Sequence, residues 1–138
     1  MEVDLALLAD AATIDAAGKL NILGVFDRIS TGSFPAQHGH MVLVLRFSAG
    51  VGEIGKHRVE ISLRDPRGER VVQLNGDMQL GAGRAGMSEG LKVPHVLHLD
   101  GMVFPFAGQY AFDVVIDGEH HVTVPLHVAG PVSAMVQA

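Results

Sequence analysis

The dipeptide Asp117-Gly118 sits between two runs of alternating side chains, and this arrangement limits the fold class more than any other feature of the chain. Ahead of it, Tyr110, Phe112, Val114 and Ile116 alternate with Ala111, Asp113, Val115 and Asp117, a period of two that places four large side chains on one face of a strand. After it, Val122, Val124, Leu126 and Val128 alternate with His121, Thr123, Pro125 and His127. Asp-Gly suits a two-residue turn that needs positive φ, so the two runs read as a β-hairpin within the stretch from Phe104 to Val128. Pro125 has no N–H to give to a neighbour, which marks the second strand as an edge at that point.

The rest of the chain extends this pattern. Val59, Ile61 and Leu63 alternate with Arg58, Glu60, Ser62 and Arg64, and Asp65-Pro66-Arg67-Gly68 has the composition of a type I turn leading into a strand from Glu69. Val3, Leu5, Leu7 and Ala9 mark a first strand, Met41, Leu43, Leu45 and Phe47 another, and Pro94 to Phe104 a further one. Phe34 to His40 reads as a loop, because Pro35 restricts its neighbour and Gly39 supplies a turn. Gly76 to Leu80 reads as a frayed continuation and Gly81 to Lys92 as loop, with a small, apolar tail after Gly130. Leu20 to Ile29 carries Leu20, Ile22 and Phe26 against Leu23, Val25 and Ile29, so a central strand covered on both faces is expected. Eight short strands, no helical pattern and no repeat predict an all-β fold: an antiparallel two-sheet β-sandwich of about eight strands in a single domain, 1–138, with a closed β-barrel as the alternative.

Two resemblances bear on this expectation. Pro105, Gly108 and Tyr110 resemble the corner of immunoglobulin-like sandwiches, where a tyrosine hydroxyl caps a bend of backbone. The runs Leu7 to Ala12 (LLADAA), Gly18 to Ile29 (GKLNILGVFDRI), Asp117 to His120 (DGEH) and Val124-Pro125-Leu126 resemble a family of uncharacterised bacterial proteins known only as a domain of unknown function. That resemblance spans nearly the whole chain and implies no activity, cofactor or site residue.

Composition excludes several classes of partner. A net charge of −5, with 10 Lys and Arg scattered singly among 138 residues, offers no footprint for nucleic acid or for an anionic membrane surface. No run of about 18 apolar residues exists to span a membrane, and Met1-Glu2-Val3-Asp4 lacks the basic start of a secretion signal, so a cytoplasmic location is expected. Zero Cys excludes disulfides and thiolate metal ligands.

Gly81-Ala82-Gly83-Arg84-Ala85-Gly86 matches the dinucleotide-binding fingerprint in letters, but Gly90 and Pro94 leave no room for the helix that fingerprint needs, and no cofactor is expected. If strands simply alternate up and down, one end of the sandwich collects Asp15, Glu53, His57, Asp117, Glu119 and His120, donors of the kind that hold zinc or calcium. An ordinary solvated loop end is the competing reading. His98 and Asp100 share a strand face, about 7 Å apart, and no nucleophile motif accompanies them. Leu23, Val25, Val42 and Val44 exceed what one sandwich face needs and form a candidate partner interface. The expected function is therefore a non-enzymatic binding or assembly module with a protein partner or a second copy; the alternative is a metal-dependent ligand-binding protein or hydrolase at the loop end.

Overall fold

A computed structural model describes residues 1–80 and 91–131, and these form an all-β sandwich of two sheets. In chain order the strands are β1 (Glu2–Ile14), β2 (Leu20–Phe26), β3 (Arg28–Ser30), β4 (Ala36–Ala49), β5 (Gly55–Arg64), β6 (Arg70–Leu80), β7 (Leu91–Phe104), β8 (Gly108–Ile116) and β9 (Glu119–Ala129). One sheet has the order β2-β1-β4-β7 and the other β3-β9-β8-β5-β6, and neither closes into a barrel. A 3-10 turn at Val51–Glu53 is the one helical element among the described residues, and none of their helices is long and apolar enough to cross a membrane. The Gly81–Gly86 fingerprint and residues 132–138 of the tail lie outside the described residues.

Alternation builds the core as expected. Leu43, Leu45 and Phe47 of β4 face Leu63 of β5 and Phe112 and Val114 of β8 across the sandwich, all essentially without solvent contact. The β8–β9 hairpin turns through Asp117 at φ 52° and Gly118 at φ 82°, the two positive values that let a two-residue turn match the twist of its strands. Pro125 pairs with Ala111 on β8, and β3 covers β9 only at His127, Val128 and Ala129, so Pro125 faces a locally open edge. The Tyr110 hydroxyl donates to the Phe106 carbonyl at 2.8 Å, which ties down the corner between β7 and β8. Arg67 stacks 4.7 Å from the Phe106 ring. Pro66 lies so close to Gly108 that an added Cβ would stand 2.6 Å from it, which locks the β5–β6 turn against the same corner.

Three expectations are corrected. Leu20 to Ile29 is not a central strand: it breaks at Asp27, so that β2 ends one sheet while β3 joins the other by parallel pairing with β9. On β2, Leu23 is 71% and Val25 63% exposed. Residues Ala36 to His40 are strand rather than loop, because β7 is long enough to pair with them from Phe104 to Asp100. Finally, β6 runs unbroken to Leu80, which pairs with Gly55.

The position expected of Leu20 to Ile29 belongs to β4, on whose second face Val42 and Val44 are buried by this chain alone. Pairing of β1 with β4 ends at Ala9 and Val42, and the far part of the β1–β2 hairpin covers the outer face instead. There Ala12, Leu20 and Ile22 pack with Val42, Val44 and Val96. Gly24, at φ 72°, permits the bend, and the Asp10 side chain occupies the space a Cβ would need.

Candidate functional site

Half of the predicted loop-end donors do meet. His57, near the start of β5, donates from Nδ1 to Asp117 Oδ2 and from Nε2 to the Glu53 carbonyl, both at 2.6 Å. Arg58 N–H donates to the other Asp117 oxygen at 2.9 Å. The Glu53 carboxylate accepts from the Met1 amino group and, at 3.0 Å, from Gly50 N–H. Acceptors beside both ring nitrogens favour the imidazolium form of His57, which has no lone pair to offer a metal. Asp117 first, then the Glu53 carbonyl, hold its pKa above the ordinary 6.5. His57 in turn, followed by the Arg58 amide, holds the Asp117 carboxyl below the usual range. The cluster is a charge-assisted clasp between two loops.

The other three donors do not join the cluster. Asp15 caps the β1–β2 hairpin by accepting from Ala17 and Lys19 amides, at the opposite end of β1 from Glu2, which pairs with Ser48 beside the Glu53 loop. Simple up-down parity fails because β2 and β4 both run antiparallel to β1, with the β2–β3 crossover between them. Glu119 opens β9 opposite Ile116, and His120 reaches Thr123 Oγ1 at 2.8 Å on the outer face of the five-stranded sheet. Among the described residues no group of three or more His, Cys, Asp or Glu is arranged to hold a metal ion.

Neither polar cluster on the sheets resembles a nucleophile with its base. Asp100 pairs with His40 across the strand rather than with His98. Thr123 gives its proton to Asp113 at 2.7 Å, so it can only accept from His120, the reverse of what an activated hydroxyl needs.

A cavity of about 250 Å³ lies where the sheets part, between β6 and β7, the strands that end the two sheets on this side among the described residues. Phe47, Ile61, Val59, Met78, Val93 and Leu97 supply apolar walls, with Asn75 and Asp77 also on the lining. One residue helps to leave it open. Val72, Leu74, Gly76, Met78 and Leu80 occupy alternate positions on β6, and Gly76 stands where that alternation calls for a large side chain. A Cβ built there would meet nothing within 4 Å, and neighbouring Leu74 is left 40% exposed. His95 lines the opening with one flank in water, and burial of the other holds its pKa below the ordinary 6.5. The alternation through Leu80 was the available signal for this cleft.

The described geometry can be set beside known sequences. Residues 4–129 match the model of a family described as a family of unknown function (DUF6941). The chain belongs to that family. No curated protein matches the chain. Membership in DUF6941 thus places the whole sandwich, from β1 to the end of β9, within one family, and leaves its chemistry to be argued from the clasp, the cleft and the edges.

The four interface residues proposed from sequence divide. Leu23 and Val25 project from β2, an edge strand among the described residues, while Val42 and Val44 are enclosed by Ala9, Ala12 and their neighbours and reach no surface.

Proposed function

We propose that this domain is a non-enzymatic protein-binding module, and that its site is the cleft between β6 and β7, where an extended segment of a partner adds to the outer edge of β6. The observation that carries this reading is the cavity beside Gly76 at that edge. Its volume, about 250 Å³, is smaller than the roughly 300–1,000 Å³ of small-molecule pockets and suits one or two apolar side chains. Among the described residues no strand lies beyond β6, so its outward amide and carbonyl groups supply the sequence-independent part of recognition, and the cavity supplies the selective part. The Tyr110 corner and the parallel contact of β3 with the last strand favour an immunoglobulin-like descent of the scaffold, a kind of fold widely used for recognition.

Gly76→Val tests the site without harming the fold, because the new side chain enters empty space on a strand. Peptides selected from a random phage library on the parent protein should share an apolar residue, shift the amide resonances of β6 and β7, and lose at least tenfold in affinity for Gly76→Val. Peptides that bind the variant as well as the parent would place recognition elsewhere. Metal analysis of protein purified without chelator is a second check, since stoichiometric zinc or calcium would overturn the non-enzymatic reading.

A further inference from the structure

The edge strand β2 differs from every other free edge of the described fold in one respect: it carries no charge. Its residues are Leu-Asn-Ile-Leu-Gly-Val-Phe, whereas β6 carries Arg70 and Asp77, β7 carries Lys92 and Asp100, and the three-residue β3 carries Arg28. Edge charges are a common means of stopping sheets from joining edge to edge, so β2 lacks that protection. It also presents Leu23 and Val25, 71% and 63% exposed, two positions apart on one face. The charges lie just outside: Lys19 precedes the strand and Asp27 follows it, and among the described residues neither side chain has an ionic partner.

We infer that β2 pairs antiparallel with β2 of a second copy of this chain, about a two-fold axis at Leu23, joining two four-stranded sheets into one. The register follows from the charges. A two-fold axis through Leu23 sets each residue opposite the one equally far on the other side of Leu23, so Lys19 lies opposite Asp27 of the second copy, and the reverse pair repeats at the far end. Identical antiparallel strands keep their hydrogen-bond alternation only if the register moves by two residues, and such a move sets Lys19 opposite Val25 or Ile29, leaving both charges unpaired. In the charge-matched register Leu23 meets Leu23, Leu20 meets Phe26, and Gly24, with no side chain, meets Ile22. The contact is isologous, as a closed dimer requires. It uses a different edge from the cleft and stands or falls independently of that reading.

The full chain tests this directly. A seven-residue strand pair buries less than the roughly 1,200 Å² of a standard interface, so light scattering is followed from about 1 µM to about 1 mM, where a shift from monomer to dimer is expected. Lys19→Glu and Asp27→Lys should each weaken the dimer about tenfold at low salt, with two pairs affected per dimer. The double variant should regain the parent's affinity. The chain has no Cys, so Leu23→Cys introduces a single thiol; facing Cα atoms about 4.5–5.5 Å apart fall within disulfide reach, and mild oxidation should give a covalent dimer. Val71→Cys, on the exposed part of β6, should not. A monomer at every concentration overturns the inference, as does a dimer indifferent to both charge reversals or cross-linking no faster through Leu23→Cys than through Val71→Cys.

Discussion

The outer faces of the two sheets are made by the same alternation and end in opposite states. On the five-stranded sheet, Arg64 grips Asp113 with two hydrogen bonds of 3.0 and 3.2 Å, Thr123 adds a third at 2.7 Å, and the whole arrangement sits at the surface. On the four-stranded sheet the equivalent positions are Val42 and Val44, and they are dry because the chain folds its own β1–β2 hairpin across them. A strand can therefore be apolar on both faces in a two-layer protein with no third layer and no partner, provided a neighbouring hairpin bends back. The polar face needs no such cover, since each of its groups is satisfied by a neighbour or by water.

Placing the same charge on both faces breaks or sharpens this contrast most strongly. Val44→Asp should cost at least about 4 kcal/mol in urea unfolding, because it strands a carboxylate with no partner. Val115→Asp, on the partly exposed outer face of β8, should cost no more than about 1 kcal/mol. Equal costs would mean that the hairpin does not seal the valines. Next in size is Ile22→Ala, which thins that cover and should lower stability by about 1–2 kcal/mol; no change would show the tip to be ornamental. On the polar face, a double-mutant cycle on Arg64→Ala and Asp113→Ala should return a coupling of at most about 1 kcal/mol that fades with salt. A coupling that salt leaves intact would make this face as structural as the other.

The smallest effect concerns pH and the His57 clasp. Its pKa is raised, so its contribution is complete below the ordinary value of 6.5 and is lost as pH rises through the raised folded-state value. The Asp117 pKa is lowered, so its contribution is complete above the ordinary 3.8 and is lost as pH falls through the lowered value. Together they hold fully between those two ordinary values. A series of urea midpoints against pH should decline on the alkaline side in the parent and flatten there in His57→Gln; identical profiles would remove the imidazolium assignment.

What the sequence disclosed followed from how local the cause was. The β8–β9 hairpin and β5 were legible because alternation and an Asp-Gly turn act within a few residues. The location of β2 was not, because two-faced apolarity describes a central strand and a hairpin that folds onto its own sheet equally well, and Gly24 gave no sign of which. Glu53, His57 and Asp117 were brought together as expected, yet Asp15 was misplaced, since crossovers between sheets are set by packing far from the loop. Gly76 was mistaken for fraying, although the alternation on both sides of it continued to Leu80.

The parallel contact between β3 and β9 also has a consequence in time. Arg28 pairs with His127, so among the described residues this three-residue strand finds its only sheet neighbour in the last strand, β9. During synthesis β1, β2 and β4 can begin to associate as they emerge, but β3 must wait until nearly every other residue has been made. The closure then joins points 99 positions apart (127 − 28), which raises the entropic cost only logarithmically while slowing the search for the contact. Until the last strand arrives, the crossover at Asp27 is a loose tether; afterwards it is the stitch that fastens one sheet to the other.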